Sequence, residues 1–361
     1  MKALVTGANG LIGANLVREL LRRGDEVTGL VRAGSNIAAI AGLPIRRVVG
    51  DVLDPASLPA AVEGQDLVFH TAVAFSYWGH EPEEMARTAT DGSLNVLAAC
   101  AEAKVSRVVM TSSSVTLGAS YKPQIRDEDA NADDDPDESA YVLAKIAQER
   151  AALGAARRLG IEIVFACPTM SVGPFGAGLG PSNGLITSYL ADGLRLTWAG
   201  GCNIASVRDV ALGHILLAER GAPGGRYVLG AENLSWRQIH GLVAELAGAP
   251  GPRAEASAVA CYGLAVAEET RARLTAAAPL ATRAQARMVG RYYWYSHARA
   301  AALGYAPRPA RQALAEALAW LCASPHVARE TRAGLRLTRE VQAARLARLA
   351  DEAALLSERA A

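Results

Sequence analysis

The fold of this chain is decided near its start, by the stretch Ala3-Leu4-Val5-Thr6-Gly7-Ala8-Asn9-Gly10-Leu11-Ile12-Gly13. A strand-like run leads directly into three glycines, and a helical pattern begins at Leu11. In such a turn the first glycine allows a tight bend, the second lets a phosphate approach, and the third lets helix and strand pack closely. The helix start adds partial positive charge. We therefore predict a dinucleotide pyrophosphate site, with contacts from Gly7, Asn9, Gly10, Leu11, Ile12 and Gly13.

The following residues alternate strand-like and helical segments, which predicts βαβ units and a parallel sheet. The predicted strands span residues 3–6, 26–31, 45–49, 67–71, 107–111 and 161–166. The predicted helices span residues 11–23, 82–103 and 139–159. The expected fold is a Rossmann-type α/β fold with a doubly wound parallel sheet.

After Pro168 the pattern changes. Residues 173–181 are rich in glycine and proline, which predicts a loop over the sheet. Shorter elements follow, with predicted helices at 209–219, 236–247 and 311–321 and a strand at 225–230. We predict a dinucleotide-binding domain over residues 1–170, to which some later segments return, a mixed substrate lobe over 171–324, and one long terminal helix over 325–361.

Composition excludes several classes of protein. The 361 residues carry 37 Lys and Arg against 36 Asp and Glu, so no general attraction to nucleic acid or to an anionic membrane is expected. No segment approaches the ~20 apolar residues of a membrane helix, and the start does not resemble a signal peptide. The five cysteines are scattered, and neither they nor the histidines show metal-ligand spacing. We expect a cytoplasmic protein with free thiols and no metal.

The end of the second predicted strand bears on the choice of cofactor. Arg32 stands where an acidic residue would accept hydrogen bonds from the ribose hydroxyls of NAD, and its guanidinium suits a 2′-phosphate. NADP(H) is therefore preferred, with NAD(H) as the second option. Asp51 is expected to accept from the adenine amino group, with Val52 against the ring. The alternatives are a surface cation at Arg32 and an exposed turn at Asp51.

Two further segments suggest chemistry. Tyr141 and Lys145 lie one helical turn apart, so the cation, together with the positive nicotinamide of a bound cofactor, could lower the pKa of the phenol and make it a proton donor and acceptor. A predicted strand ends in Ser112, Ser113 and Ser114, at the edge where open α/β sheets bind ligands. One of these hydroxyls could hold a carbonyl oxygen beside the phenol. Each pattern alone also fits surface decoration or turn formation.

Together, the glycine stretch, the serine run and the Tyr141/Lys145 pair resemble the extended short-chain dehydrogenase/reductases of the NAD-dependent epimerase/dehydratase family, over residues 1–322. The similarity is strongest to dihydroflavonol-4-reductase-like proteins and hopanoid-associated sugar epimerases. It implies that Ser113 is the catalytic hydroxyl, that Tyr141 is the acid/base, and that Lys145 binds the nicotinamide ribose. It also implies cofactor contacts from Thr71, Ala72, Pro168 and Met170. A homodimer through the helices at 82–103 and 139–159 is expected on the same ground.

Three residues depart from the family pattern. Ala89 stands where an asparagine is usual, Cys167 where Arg or Asn is common, and Ser206 where His is frequent. The substrate is therefore open, and the candidates for contact with it are Tyr77, Trp78, Ser114, Tyr189 and Trp198. The first hypothesis is reduction of a ketone, or oxidation of a secondary alcohol, of a small or medium organic metabolite. The alternatives are a nucleotide-sugar epimerase or dehydratase that retains its cofactor, and a cofactor-binding protein without activity.

Overall fold

The computed structural model describes residues 1–72, 82–132, 139–275 and 279–357. The strands are β1 Lys2–Thr6, β2 Glu26–Val31, β3 Arg46–Val49, β4 Leu67–His70, β5 Arg107–Thr111, β6 Ile125–Arg126, β7 Glu162–Pro168, β8 Met170–Val172, β9 Leu196–Trp198, β10 Gly201–Ser206, β11 Arg226–Leu229, β12 Glu232–Ser235, β13 Ala254–Ala256 and β14 Tyr292–Tyr295. The α-helices are α1 Leu11–Arg22, α2 Pro59–Val62, α3 Pro82–Glu102, α4 Ala140–Leu159, α5 Pro181–Ala191, α6 Val207–Arg220, α7 Trp236–Ala247, α8 Ala258–Thr275, α9 Arg283–Ala286, α10 Ala298–Ala301, α11 Ala310–Leu321, α12 Arg329–Ala333 and α13 Arg339–Ser357. Short 3₁₀ turns cover Ala38–Ile40, Pro55–Ser57 and Ser114–Leu117.

The main sheet has the strand order β11-β7-β5-β4-β1-β2-β3. All of its neighbouring strands pair in parallel. The chain moves to one side after β1 and to the other side with β4, so the strand order reverses between these two strands. A crevice forms at the carboxyl ends of the strands at such a point, and ligands of open α/β sheets bind there. The predicted Rossmann-type fold is confirmed.

Both faces of this sheet are covered, which explains the near-continuous apolar runs of its strands. Successive side chains point to opposite faces. Leu4 and Val68 lie in the core formed with α3 and α4. Val5 and Phe69 lie in the core formed with α1 and α6. Phe69 is fully buried, which contributes about 2 kcal/mol from removal of its side chain from water.

A smaller mixed sheet forms the second lobe, as the sequence predicted. Its central strand β10 pairs antiparallel with β12 and parallel with β14 and β8, and β14 pairs with β6. Helices α7 and α11 pack on it around a separate apolar core. The lobe faces the carboxyl end of the main sheet, because β8 follows β7 after a single residue.

The predicted terminal helix is present as α13, and it is shorter than the predicted range of 325–361. The extension forms two helices, α12 and α13, with residues 334–338 between them. In this linker the amide of Arg336 donates to the carbonyl of Ala247 (2.9 Å) and that of Thr338 donates to Leu246 (3.0 Å). The linker therefore pairs with the end of α7 instead of continuing the helix. Helix α13 buries Val341 and Leu355.

Candidate active site

The glycine turn has the geometry of a phosphate cradle. Gly7 adopts a φ of +65°, and a Cβ there would lie 2.9 Å from the Cα of Ala72. A Cβ on Gly13 would lie 2.2 Å from the carbonyl oxygen of Gly7, so only glycine allows the start of α1 to pack on the turn. Gly10 precedes α1 without a side-chain cap. The first amides of α1, at Leu11 and Ile12, have no intrahelical acceptor and can meet an anion.

The loop of residues 173–180 flanks this turn. The amide of Ala177 donates to the carbonyl of Asn9 (3.1 Å), and the Asn9 side chain donates to the carbonyl of Asn36 (2.9 Å). Gly10 stays exposed, so the loop borders the turn without filling it. Phe175 holds the loop in place with an unusual φ of +69° and its ring 3.6 Å from the guanidinium carbon of Arg18.

An open cavity of about 650 Å³ lies at the ends of β2 and β3, where the adenosine of a dinucleotide would extend from the turn. Its lining residues are Arg32, Ala33, Gly34, Ser35, Val49, Gly50, Asp51, Asp54 and Ser57. Arg32 is exposed. Asp51 is half-buried, and its Oδ1 accepts from the amide of Leu53 (3.0 Å). The structure thus brings Arg32 and Asp51 to one cavity, beside a second carboxylate at Asp54. Val52 is half-buried next to them.

Tyr141 and Ser113 meet at the carboxyl edge of the sheet. Ser139 caps α4 by accepting from the amide of Val142 (3.4 Å), which fixes Tyr141 in the first turn. Ser113 follows β5, is 9% exposed and caps the 3₁₀ turn after it. The side chain of Ser113 interacts with the phenol of Tyr141 and acts to lower the pKa of that phenol. Two hydroxyl groups therefore converge on one point where a substrate oxygen can bind.

Burial dominates the pKa of Tyr141 in the protein without cofactor. Burial raises it to about 12, and the interaction with Ser113 opposes the rise. In the protein without cofactor, the cost of burying a phenolate exceeds the stabilisation that the surrounding groups give it. Tyr141 is thus a protonated phenol at neutral pH. The predicted lowering also involves the positive charge of the nicotinamide, so it stays a prediction for the cofactor-bound protein.

Lys145 lies one turn further along α4 and is 1% exposed. Its ammonium donates to the carbonyl of Thr111 (3.0 Å) and to Oε1 of Gln148 (2.8 Å). Burial lowers the pKa of Lys145 to about 8, although the nearby Glu149 and Cys167 act in the opposite direction. The lysine is therefore a buried cation held by two acceptors under the end of β5.

The remaining residues proposed for the cofactor lie around the same crevice. Thr71 donates from Oγ1 to the carbonyl of Thr6 (2.7 Å), and the amide of Ala72 donates to Oγ1 of Thr6 (3.2 Å). Pro168 is buried at the end of β7, and Met170 is half-buried on β8. Thr71 and Ala72 follow β4 directly and Pro168 ends β7, so these positions border the ends of the strands on both sides of β5.

The substrate candidates are spread over different environments. Tyr77 and Trp78 lie outside the described residues. Ser114 is 4% exposed in the turn after Ser113. Tyr189 stacks on His240 with ring centroids 4.5 Å apart, and Trp198 packs edge-on against the same ring. Tyr189 and Trp198 therefore belong to the apolar core of the second lobe, where sequence reasoning gave an open choice between packing and substrate contact.

The three departures from the family pattern each have a local structural account. Ala89 is buried, and its carbonyl accepts from Oγ of Ser93 (2.8 Å). Cys167 is fully buried, and burial raises its pKa, so it is a neutral thiol. Ser206 caps α6 and donates to Glu316 (3.1 Å). None of them occupies the space between Ser113 and Tyr141.

Sequence reasoning missed three polar residues beside this site, Glu149, Gln148 and Ser93. Ser112 donates to Glu149, and Gln148 lies between Lys145 and Ser93. The only sequence signal was the spacing of Gln148 and Glu149, three and four residues after Lys145, which places them within reach of the same helix face. Among the described residues no cluster of His, Cys, Asp and Glu could hold a metal ion, and no helix there is long and apolar enough to cross a bilayer.

Comparison with known proteins agrees with this geometry. A profile of the NAD dependent epimerase/dehydratase family matches residues 3–230. A putative dihydroflavonol 4-reductase of Synechocystis is 36% identical over 69% of this chain and 73% of its own length. Cinnamoyl-CoA reductase 2 of Arabidopsis thaliana is 35% identical over 62% of this chain and 71% of its own length. The crystal structure of gox2253 superposes with a TM-score of 0.79 at 32% identity, over 90% of this chain and 99% of that one. The chain therefore belongs to the NAD-dependent epimerase/dehydratase family and is an NAD(P)-dependent oxidoreductase of the extended short-chain dehydrogenase/reductase type.

Proposed function

We propose that this protein reduces a ketone of a small or medium organic metabolite with NADPH, or oxidises the corresponding secondary alcohol with NADP⁺. The observation that carries the proposal is the interaction of the Ser113 side chain with the phenol of Tyr141 at the carboxyl edge of the sheet, one helical turn from the buried ammonium of Lys145. The reductases among the relatives, two of them the proteins described above at 36% and 35% identity, favour this chemistry over others of the family.

The residues of the glycine turn fit a dinucleotide. Because Gly13 has no Cβ, the start of α1 can pack closely on the turn. The uncapped start of α1 offers backbone amides as donors to a pyrophosphate. Arg32 would pair with a 2′-phosphate, and Asp51 and Val52 would bind the adenine. Thr71, Ala72, Pro168 and Met170 would border the nicotinamide. The bound cofactor would supply the hydride that adds to the carbonyl carbon.

The protein's own groups would handle the oxygen of the substrate. Ser113 donates a hydrogen bond to the carbonyl oxygen, and Tyr141 transfers its hydroxyl proton to that oxygen as the carbon is reduced. A pKa of about 12 keeps Tyr141 protonated at neutral pH, which is the form needed for reduction. Lys145 would bind the nicotinamide ribose and stabilise the phenolate left behind. Tyr141 then regains a proton from solvent, so one ketone, one hydride and one proton give one alcohol.

A second function rests on a different observation. Asp51 and Asp54 share the adenosine-end cavity with Arg32, and carboxylates suit the ribose hydroxyls of NAD. A nucleotide-sugar epimerase or dehydratase would retain such a cofactor through the catalytic cycle. It would convert a nucleotide sugar without added cofactor, whereas a reductase consumes NADPH in equal amount with its substrate.

The assembly and location belong to the same proposal. Helices α3 and α4 pack against each other, and α4 exposes Leu143 and Leu159, with 51% and 41% of their surface accessible. These residues would contact the same helices of a second subunit in a homodimer. All five cysteines are free, four of them buried, which suits a reducing cytoplasm.

The test is NADPH consumption with a panel of ketones, beside nucleotide sugars without added cofactor. Tyr141→Phe is expected to lower kcat about 10²- to 10⁴-fold because it removes the proton donor. Cofactor affinity, measured by nicotinamide fluorescence, should stay unchanged. Tyr121→Phe is the matched control, since Tyr121 is 70% exposed. Full turnover in Tyr141→Phe would exclude the proposed mechanism.

A further inference from the structure

A line of buried polar side chains connects the catalytic lysine with the strand that leads into the glycine turn. Its members, which we call the lysine network, are Thr6, His70, Ser93, Gln148 and Lys145. Each is between 0% and 3% exposed. They come from β1, β4, α3 and α4, so the network crosses the sheet and the helix layer. Buried polar groups cost free energy unless all of their hydrogen bonds are made.

Gln148 has one orientation that satisfies its neighbours. Its Oε1 accepts from the ammonium of Lys145 (2.8 Å), and its Nε2 donates to Oγ of Ser93 (2.8 Å). The reversed amide would place N–H donors against an ammonium, which has no acceptor. The charge on Lys145 therefore fixes the direction of the hydrogen bond that Gln148 makes on its other side.

The hydrogen bonds of Ser93 determine which ring nitrogen of His70 carries the proton. The hydroxyl of Ser93 donates its only hydrogen to the carbonyl of Ala89 (2.8 Å), so it can only accept further hydrogen bonds. It accepts from Gln148 and lies 3.1 Å from Nε2 of His70, which must therefore carry the ring proton. Nδ1 of His70 is then the acceptor for the hydroxyl of Thr6 at 2.9 Å.

The network ends at the cofactor crevice. Oγ1 of Thr6 accepts from the amide of Ala72, which lies against Gly7. Burial, together with the charge of Lys145, lowers the pKa of His70 to about 3. His70 is accordingly neutral at physiological pH, as the single tautomer requires. Every hydrogen bond in the network thus has one direction, set from Lys145 outward.

We propose that Gln148 is a positioning residue that holds the ammonium of Lys145 in place for catalysis and couples it, through Ser93 and His70, to the wall of the cofactor crevice. This inference rests on the proposed function, in which Lys145 acts on the cofactor and on Tyr141. A fully satisfied buried network favours one arrangement of its members, and a displacement of about 1 Å in a reacting group can cost about 100-fold in rate.

The effect on Lys145 has a defined sign. The charged and titratable groups that face its ammonium are Glu149 on α4, Cys167 on β7 and His70 on β4. A hydrogen bond to the charged form favours that form, so removing the acceptor in Gln148→Leu should lower the pKa of Lys145. Gln148→Glu places a carboxylate at the same point and should raise it.

The test measures this pKa directly. The chain contains four lysines, Lys2, Lys104, Lys122 and Lys145, so ¹⁵N-lysine NMR can follow each ammonium, with Lys145→Met identifying the signal of Lys145. We expect the pKa of Lys145 to fall by about one unit in Gln148→Leu and to rise by about one unit in Gln148→Glu. The matched control is Gln65→Leu, which removes a side chain bonded to Thr28 on β2, outside the lysine network.

Kinetics provide the second readout. Gln148→Leu should lower kcat about tenfold with little change in the KM for NADPH, and Ser93→Ala should lower it in the same way. The double variant should lose no more than the larger single loss, since both act through Lys145. The alkaline limb of the pH profile should move in the same direction as the pKa from NMR.

The outcomes separate the two proposals. A fall in kcat without a shift of the Lys145 pKa would make Gln148 a structural support and overturn the inference. Equal pKa shifts in Gln148→Leu and Gln65→Leu would overturn it as well. If Lys145 titrates as expected while the wild-type protein consumes no NADPH with any ketone, the positioning holds and the proposed function fails.

Discussion

The two ends of the cofactor crevice are built differently. At the catalytic end, Lys145 is 1% exposed and Ser113 is 9% exposed, and both side chains have hydrogen-bonding partners within the protein. At the adenosine end, Arg32 is exposed and lines an open cavity. The groups proposed for proton transfer are therefore fixed before any ligand binds, whereas the group proposed for cofactor choice is free to adjust. The catalytic end should be sensitive to changes that the adenosine end tolerates.

Acidification should produce the largest difference between the two ends. Burial lowers the pKa of His70 to about 3 and that of His214 to about 4, and His214 bonds Thr111, whose carbonyl holds Lys145. Both pKa values lie below that of histidine in the unfolded chain. The contribution of each histidine to the free energy of unfolding is therefore complete above about pH 6.5, and it is lost as the pH falls towards the pKa of the folded protein. At pH 5 each histidine should cost about 2 kcal/mol of unfolding free energy.

Urea unfolding between pH 7.5 and pH 5 measures this loss. His214→Gln should reduce the slope of stability against pH by an amount that approaches about one proton at the acid end of that range. Arg32→Ala, at the other end of the crevice, should leave the slope as it is. A stability that stays flat from pH 7.5 to pH 5 would show that the buried histidines do not carry the expected linkage.

The glycine turn that joins the two ends should be the next most sensitive position. Gly13→Ala forces a Cβ to within 2.2 Å of a backbone oxygen, so α1 must move away from the turn. We expect about 3 kcal/mol of lost cofactor binding or stability, which is about 100-fold in affinity. Gly241→Ala is the control, because a Cβ there meets open space within α7. Unchanged NADPH affinity in Gly13→Ala would show that the turn does not contribute to the cofactor site.

The sequence predicted those parts that depend on local patterns. The glycines and the strand–helix alternation define the parallel sheet, and the rule that ligands bind at carboxyl strand edges brings Ser113 towards Tyr141. It could not place Tyr189 and Trp198, because an aromatic residue has the same pattern in a core as in a pocket wall. It missed Gln148, Ser93 and His70, which meet only after three elements have packed. The direction of the Tyr141 pKa depends on burial, which the sequence does not state.

Backbone elements that depend on local sequence patterns lie where they were predicted, whereas the terminal extension does not. The strands of the main sheet and helices α1, α4 and α7 begin and end within one or two residues of their predicted positions. The terminal extension differs because its break is caused by hydrogen bonds to the end of α7, a partner some ninety residues away in the chain. Helical propensity alone favours continuation there, and tertiary contacts override it.

The smallest expected effect is at Arg32, and it tests the exposed end directly. Arg32→Ala should weaken NADPH binding about tenfold, the usual value of one charge-assisted contact with a phosphate, and should leave NADH binding unchanged. Because Arg32 is exposed, the difference between the two cofactors should shrink as salt concentration rises. Arg47→Ala is the matched control, an exposed arginine on β3 that does not line the cavity. An equal loss of affinity for NADPH and NADH would mean that Arg32 supports the shape of the cavity and does not recognise the 2′-phosphate. The acidic pair Asp51 and Asp54 would then decide the cofactor, and NAD would be preferred.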